Sequence, residues 1–174
     1  MSIPNISNDQ LRSTISDSLE GVFKTMLSIE CSNTKLEDFS GHKPRIPNLG
    51  GEEMHMVYIG SVGFVGDING VVYLYMKSRF VNDAAKRITG LEESELDYEI
   101  VSDVCGELTN MFAGSFKNSL TDVGYESSLT IPTVLSGDEL FISTLGVEKH
   151  LRMDFVSGGE EVVADLVLAE PVSV

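Results

Sequence analysis

Asp103-Val104-Cys105-Gly106-Glu107-Leu108-Thr109-Asn110 is the stretch on which the reading of this chain turns. At about 100° per residue, Val101, Val104, Leu108, Met111 and Phe112 gather on one side of a helix. Asp103, Glu107 and Asn110 fall within about 60° of one another on a separate stripe. The spacing predicts a long helix over about residues 97–119, its apolar side fixed to a sheet and its polar stripe accessible. Gly114 lies one turn past Asn110 on the same stripe, and Gly106 flanks it. A glycine inside a helix costs about 1 kcal/mol relative to alanine. Room for another protein's backbone explains such a cost; close helix–sheet packing explains it equally. Glu-x-x-Asn alone is a common spacing, and the stripe by itself also fits an ordinary solvated helix face.

After this helix come four expected strands, at about 124–131, 139–146, 150–156 and 161–169, with Val156-Ser157-Gly158-Gly159 marking the last hairpin turn. Before it, Ser78 is expected to cap a short helix that turns Val81, Ala84, Ala85 and Ile88 inward and stops at Gly90. Two strand-like runs precede that, 55–65 and 70–77. Val71-Val72-Tyr73-Leu74-Tyr75-Met76 has the β-branched and aromatic character of a sheet element. Residues 36–54 carry Pro44, Pro47, Gly50 and Gly51 and read as an ordered loop, with a short strand at 29–35 before it. A first long helix is expected over about 8–28, opened by a capping box at Ser7 and Gln10. Its apolar positions are Leu11, Ile15, Leu19, Val22, Phe23 and Met26. The order suggests a loosely duplicated helix-plus-hairpin unit: one α+β domain over 1–174, two long helices on a mainly antiparallel sheet.

Charge removes several classes of function. With 27 acidic against 12 basic residues the net charge is −15, which repels nucleic acid and anionic membrane alike. No apolar run is long enough to span a bilayer, and Met1-Ser2-Ile3-Pro4-Asn5 lacks the basic and apolar segments of a secretory signal. The expected location is the cytoplasm. Cys31 and Cys105 make no disulfide scaffold, and His42, His55 and His150 follow no zinc-binding spacing. Lys43 and Arg45 form the densest basic spot outside helices. If the chain handles phosphate, the cations come from its partner.

The stretch quoted first resembles the signature of the CheC/CheX/FliY family of chemotaxis phosphatases. That pattern is Asp or Ser, three residues, Glu, two residues, Asn, about twenty-two residues, then Pro. Asp103, Glu107 and Asn110 match its helical part, and Pro132 follows after 21 residues, one fewer than usual. Asn110-Met111-Phe112-Ala113-Gly114 is similar to a run in CheX-like members. Gly63-Phe64-Val65-Gly66 with Gly70-Val71-Val72-Tyr73-Leu74 is similar to the family's glycine-flanked hairpin. The resemblance covers about residues 8–170. In the first helix Ser16, Glu20 and Phe23 occupy the equivalent spacing, but Phe23 cannot orient water. One stripe is the CheX pattern rather than the CheC pattern, and CheX-like proteins dimerise through their sheets, which implies a homodimer.

The resemblance implies hydrolysis of the aspartyl phosphate of a phosphorylated CheY-like response regulator. Asn110 would orient the attacking water and Glu107 would pair with the regulator's active-site lysine. It implies no cofactor bound by this chain, the Mg²⁺ being the regulator's. Asp103, Gly106 and Gly114 are the expected contacts around that pair, with Asp103 at the rim. Thr109 and Pro132 read as structural, the proline as a strand-end stop. The alternatives are a non-enzymatic regulator-binding or flagellar-switch-like interaction module using the same stripe, and a small-ligand sensor built on the 36–54 loop.

Overall fold

The computed structural model describes residues 6–40, 46, 47, 49, 56–138, 140, 142 and 147–169. Ser7 opens helix α1 (Asn8–Leu27) with the expected reciprocal cap: the Gln10 amide donates to Ser7 Oγ, and the Ser7 amide donates to Gln10 Oε1. Ser28 closes α1 in the left-handed region at φ 55°. Strand β1 (Cys31–Asp38) follows, running three residues further into the expected loop. Hairpin β2 (Val57–Gly66) and β3 (Gly70–Lys77) leads straight into α2 (Ser78–Thr89). Ser78 does not cap α2, contrary to the expectation. Lys77 is the N-cap, with no side-chain hydrogen bond, and Ser78 is already helical. The cause lies in the preceding strand: the Ser78 amide is held by the Met56 carbonyl at 2.8 Å, so the chain passes from ladder to helix without a turn.

Asp97 caps α3 (Tyr98–Asp122) by accepting the Ile100 amide at 2.9 Å. Strands β4 (Ser127–Leu129) and β5 (Thr133–Gly137) come next, then β6 (Val147–Ser157) and β7 (Glu160–Ala169), joined through Gly158 and Gly159, both at positive φ. The strand expected at 139–146 falls almost wholly outside the described residues. Strand β5, which lies before that span, pairs with β2.

One seven-stranded sheet results, ordered β1-β6-β7-β3-β2-β4, with β5 also pairing with β2. Each described pairing is antiparallel. The duplication read from the element order appears as a swapped pairing. Hairpins β2–β3 and β6–β7 meet at the centre, β3 against β7. The strands outside each hairpin cross to the other's hairpin: β1 to β6, and both β4 and β5 to β2.

All three helices lie on one face. Alternate residues of the sheet, among them Val62, Phe64, Leu74, Met76, Met153, Phe155 and Leu166, form one buried cluster with Leu19, Phe23, Leu108, Phe112 and Phe116. Each such aliphatic or aromatic side chain contributes about 1.5–3 kcal/mol by leaving water. The far face holds a second, smaller cluster around Ile59, Tyr75 and Val163. Beside it sits a buried ion pair. Asp165 accepts from Arg152 Nε at 2.7 Å and Nη2 at 2.6 Å, and from the Tyr75 hydroxyl at 3.1 Å. The Arg152 guanidinium lies 5.4 Å from the Phe39 ring centre and 5.6 Å from that of Tyr75.

Candidate functional site

The position of α3 over the sheet is set by one close approach. A Cβ on Gly60 of β2 would overlap the side chain of Thr109, so only glycine lets the helix sit this low. The Thr109 hydroxyl is fully buried and donates back to the Cys105 carbonyl at 2.7 Å, which fixes its rotamer and satisfies its proton. Cys105, Leu108 and Phe112 are also fully buried, and Phe116 stacks edge-on against Phe64 at 6.0 Å. The helix is therefore anchored along its length, parallel to β2.

What remains outward is the stripe. Asp103 and Glu107 are exposed, and Asn110 is half-buried. Among the described residues, none makes a hydrogen bond or ion pair with any of the three side chains. A carboxylate and a carboxamide three residues apart are thus held by a rigid backbone with their own polar atoms unspent. The carboxamide offers an acceptor and two donors to whatever approaches.

The two helix glycines separate. A Cβ at Gly114 would meet nothing within 4 Å, so this position borders open space on the stripe. Gly106 is buried, and a Cβ there would touch the Val134 methyl of β5 at 3.4 Å. It lets the helix lie against the edge strand and does not face outward. Phe23, the counterpart of Asn110 on α1, is fully buried with its ring 5.4 Å from that of Phe80. The first helix offers no second carboxamide there.

Other chemistries find little support. Burial pushes the Cys105 thiol up to about 12; burial, and to a lesser degree the nearby Glu20 carboxylate, do the same for Cys31. Neither is a nucleophile at neutral pH. Among the described residues no three His, Cys, Asp or Glu side chains come together as a metal-holding group. No described helix is long and apolar enough to cross a membrane.

Two features escaped the sequence reading. Arg152 and Asp165 face each other directly across β6 and β7. The glycine turn at 158–159 carried that register, because counting back evenly from it places the two opposite one another. Ile131, passed over in favour of its neighbour Pro132, is 85% exposed.

Comparison with known proteins adds the family context. The model of the family described as chemotaxis phosphatase CheX matches residues 58–156. The CheY-P phosphatase CheX of Thermotoga maritima is 33% identical over 97 residues, 55% of this chain; the match spans 62% of that protein's length. Among solved structures, a CheC-like superfamily protein from Shewanella sp. PV-4 superposes with a TM-score of 0.71 at 26% identity, covering 94% of this chain and 99% of that one. The CheX of a CheX–CheY–BeF₃–Mg²⁺ complex from Borrelia burgdorferi gives 0.66 at 22% identity, covering 92% and 98%. That last likeness bears on the fold alone.

Proposed function

Because the chain belongs to the CheX family of chemotaxis phosphatases, we propose that it hydrolyses the aspartyl phosphate of a CheY-like response regulator, with Asn110 and Glu107 inserted into the regulator's site. The observation that carries this reading is the pair of unpartnered polar side chains on the outward stripe of a helix that Gly60 and Thr109 clamp to the sheet. An aspartyl phosphate is an acyl phosphate, already labile. Catalysis then consists mainly of positioning a water in line with the breaking bond. The water oxygen bonds to phosphorus as the acyl P–O bond breaks, leaving a carboxylate and inorganic phosphate.

Each side chain has a task suited to its chemistry. The Asn110 carbonyl oxygen accepts a hydrogen bond from the water and so aims its lone pair at phosphorus. Glu107, three residues away on the same stripe, pairs with the regulator's lysine and fixes the register in which the helix enters. Asp103, one turn further back, contacts the rim. The Mg²⁺ that offsets phosphoryl charge belongs to the regulator in this reading, in keeping with the net charge of −15 carried by this chain.

A homodimer joined through the sheets is part of the same proposal. Among the described strands β1 pairs only with β6, so one side of its ladder is open to a second copy. Light scattering of the purified chain tests this, and a monomer at micromolar concentration would remove it.

The central test is inorganic phosphate release from a CheY-type regulator phosphorylated by phosphoramidate and freed of the donor. Parent protein should accelerate release, and Asn110→Ala should bind the regulator without accelerating it. Full activity in Asn110→Ala would refute the mechanism. Binding by the parent with no acceleration would identify a docking module instead.

A further inference from the structure

The edge of the sheet beside α3 is broken in one place, and the break has a defined construction. Leu129 of β4 stands opposite Phe64, and Thr133 of β5 stands opposite Ser61. Thr130 is tied to Gly63 on both sides: its amide donates to the Gly63 carbonyl at 2.8 Å, and the Gly63 amide donates to Thr130 Oγ1 at 2.9 Å. Thr130 therefore opposes Gly63, and Ile131 and Pro132 together oppose the single residue Val62. Two residues against one is a β-bulge. Glycine at 63 eases the approach, since a Cβ there would lie 3.1 Å from the Thr130 methyl. Pro132 restricts its own φ and has no amide proton to offer.

Register places this bulge beside the stripe. Val134 touches the flank of α3 at Gly106, and Gly60 of β2 underlies Thr109. Leu129 pairs with Phe64, whose ring meets Phe116. The bulge lies between these two levels. The flank of α3 that begins at Gly106 continues at helical spacing through Asn110 and Ala113 to Lys117. Ile131 thus stands at the height of Asn110 and of the open surface at Gly114. At 85% it is the most exposed of the large apolar side chains among the described residues.

We propose that Ile131 is an apolar contact for the phosphorylated regulator that inserts against Asn110, and that it sets affinity rather than the rate of hydrolysis. The proposal rests on the phosphatase reading above. A single exposed isoleucine on a loose loop would need no explanation. This one follows Thr130, which two hydrogen bonds tie to Gly63, and precedes a proline, next to a stripe whose polar atoms are also unpartnered. Strand addition by a second copy fits poorly here, because the bulge and the missing amide of Pro132 interrupt the edge ladder. A side-chain contact with a partner already docked on α3 fits both features.

The test is steady-state phosphate release from the phosphoramidate-treated CheY-type regulator as its concentration is varied. Burying an aliphatic side chain is worth roughly a 10- to 100-fold change in affinity. Ile131→Asp should raise KM by about that factor and leave kcat within about twofold, and Ile131→Ala should shift KM the same way by less. Val156→Asp, a new charge on β6 in the other half of the sheet, should leave both constants unchanged. Unaltered KM in Ile131→Asp, with the parent active, would overturn this contact and leave the phosphatase reading standing. A fall in kcat alone would also overturn it, and an inactive parent would remove both. Circular dichroism spectra matching the parent establish that the exposed substitutions leave the fold intact.

Discussion

Thr109 of α3 and Gly60 of β2 lie so close that no side chain fits at residue 60, and this contact sets the height of the helix over the sheet. Gly60→Ala forces either Thr109 out of its rotamer or α3 away from β2. Overpacking of this kind costs typically 1–3 kcal/mol, and the upper end is expected because Thr109 is held by its bond to Cys105. Urea denaturation measures the loss. Thr109→Ala removes the atom nearest the new methyl, the Thr109 Oγ1, so the double variant should lose at least about 0.5 kcal/mol less than the sum of the singles.

Glu107 and Asn110 make no bond within the described structure, so stability and activity should come apart when they are changed. Glu107→Ala and Asn110→Ala are each expected to leave unfolding free energy within about 0.5 kcal/mol of the parent. Phosphate release should fall strongly in both. A large stability loss in either variant would mean that the side chain holds the fold.

Gly114 has helical geometry and open space above it. Gly114→Ala should therefore stabilise the protein by about 0.5–1 kcal/mol through the gain in helix propensity. Gly114→Trp should fold equally well but obstruct the surface beside Asn110, lowering regulator binding by at least tenfold. Calorimetry of the two variants with the regulator separates these effects. Normal binding by the tryptophan variant would place the docking surface elsewhere.

Burial by itself would raise the Asp165 carboxyl. The Arg152 hydrogen bonds, with His150 beside it, outweigh burial and hold it below its ordinary value. A carboxyl depressed in the folded state lends stability above the unfolded value of about 3.9, and loses it as pH falls through the folded value. Unfolding midpoints should therefore drop below pH 4 in the parent by more than in Asp165→Asn. Arg152→Met, which takes the guanidinium from a buried carboxylate, is expected to cost about 3–5 kcal/mol at neutral pH.

Local physics explains what could be read before any coordinates. The α1 cap is a contact between Ser7 and Gln10, three residues apart, and needs nothing from the rest of the chain. The stripe on α3 follows from a fixed rotation per residue, so Asp103, Glu107 and Asn110 share a side wherever that helix packs. The apolar residues that share the face of Phe23 mark it as core or interface for the same reason, and the structure buries it in the core. Ser78 departs from the expectation because its side chain suits a cap, while its amide is already claimed by Met56, the residue before β2.

The sequence by itself determined which side chains travel together along each helix and strand, since helical and extended periods are properties of the backbone alone. Only the tertiary structure decided what those faces meet. It turned Gly106 toward Val134 and Gly114 toward open space, although both are helix glycines near one stripe. It exchanged the outer strands between the two hairpins, and it set Ile131 against Val62 with Pro132. Those outcomes depend on the register between segments distant in the chain. Register is fixed by the packing of whole faces, which no local stretch contains.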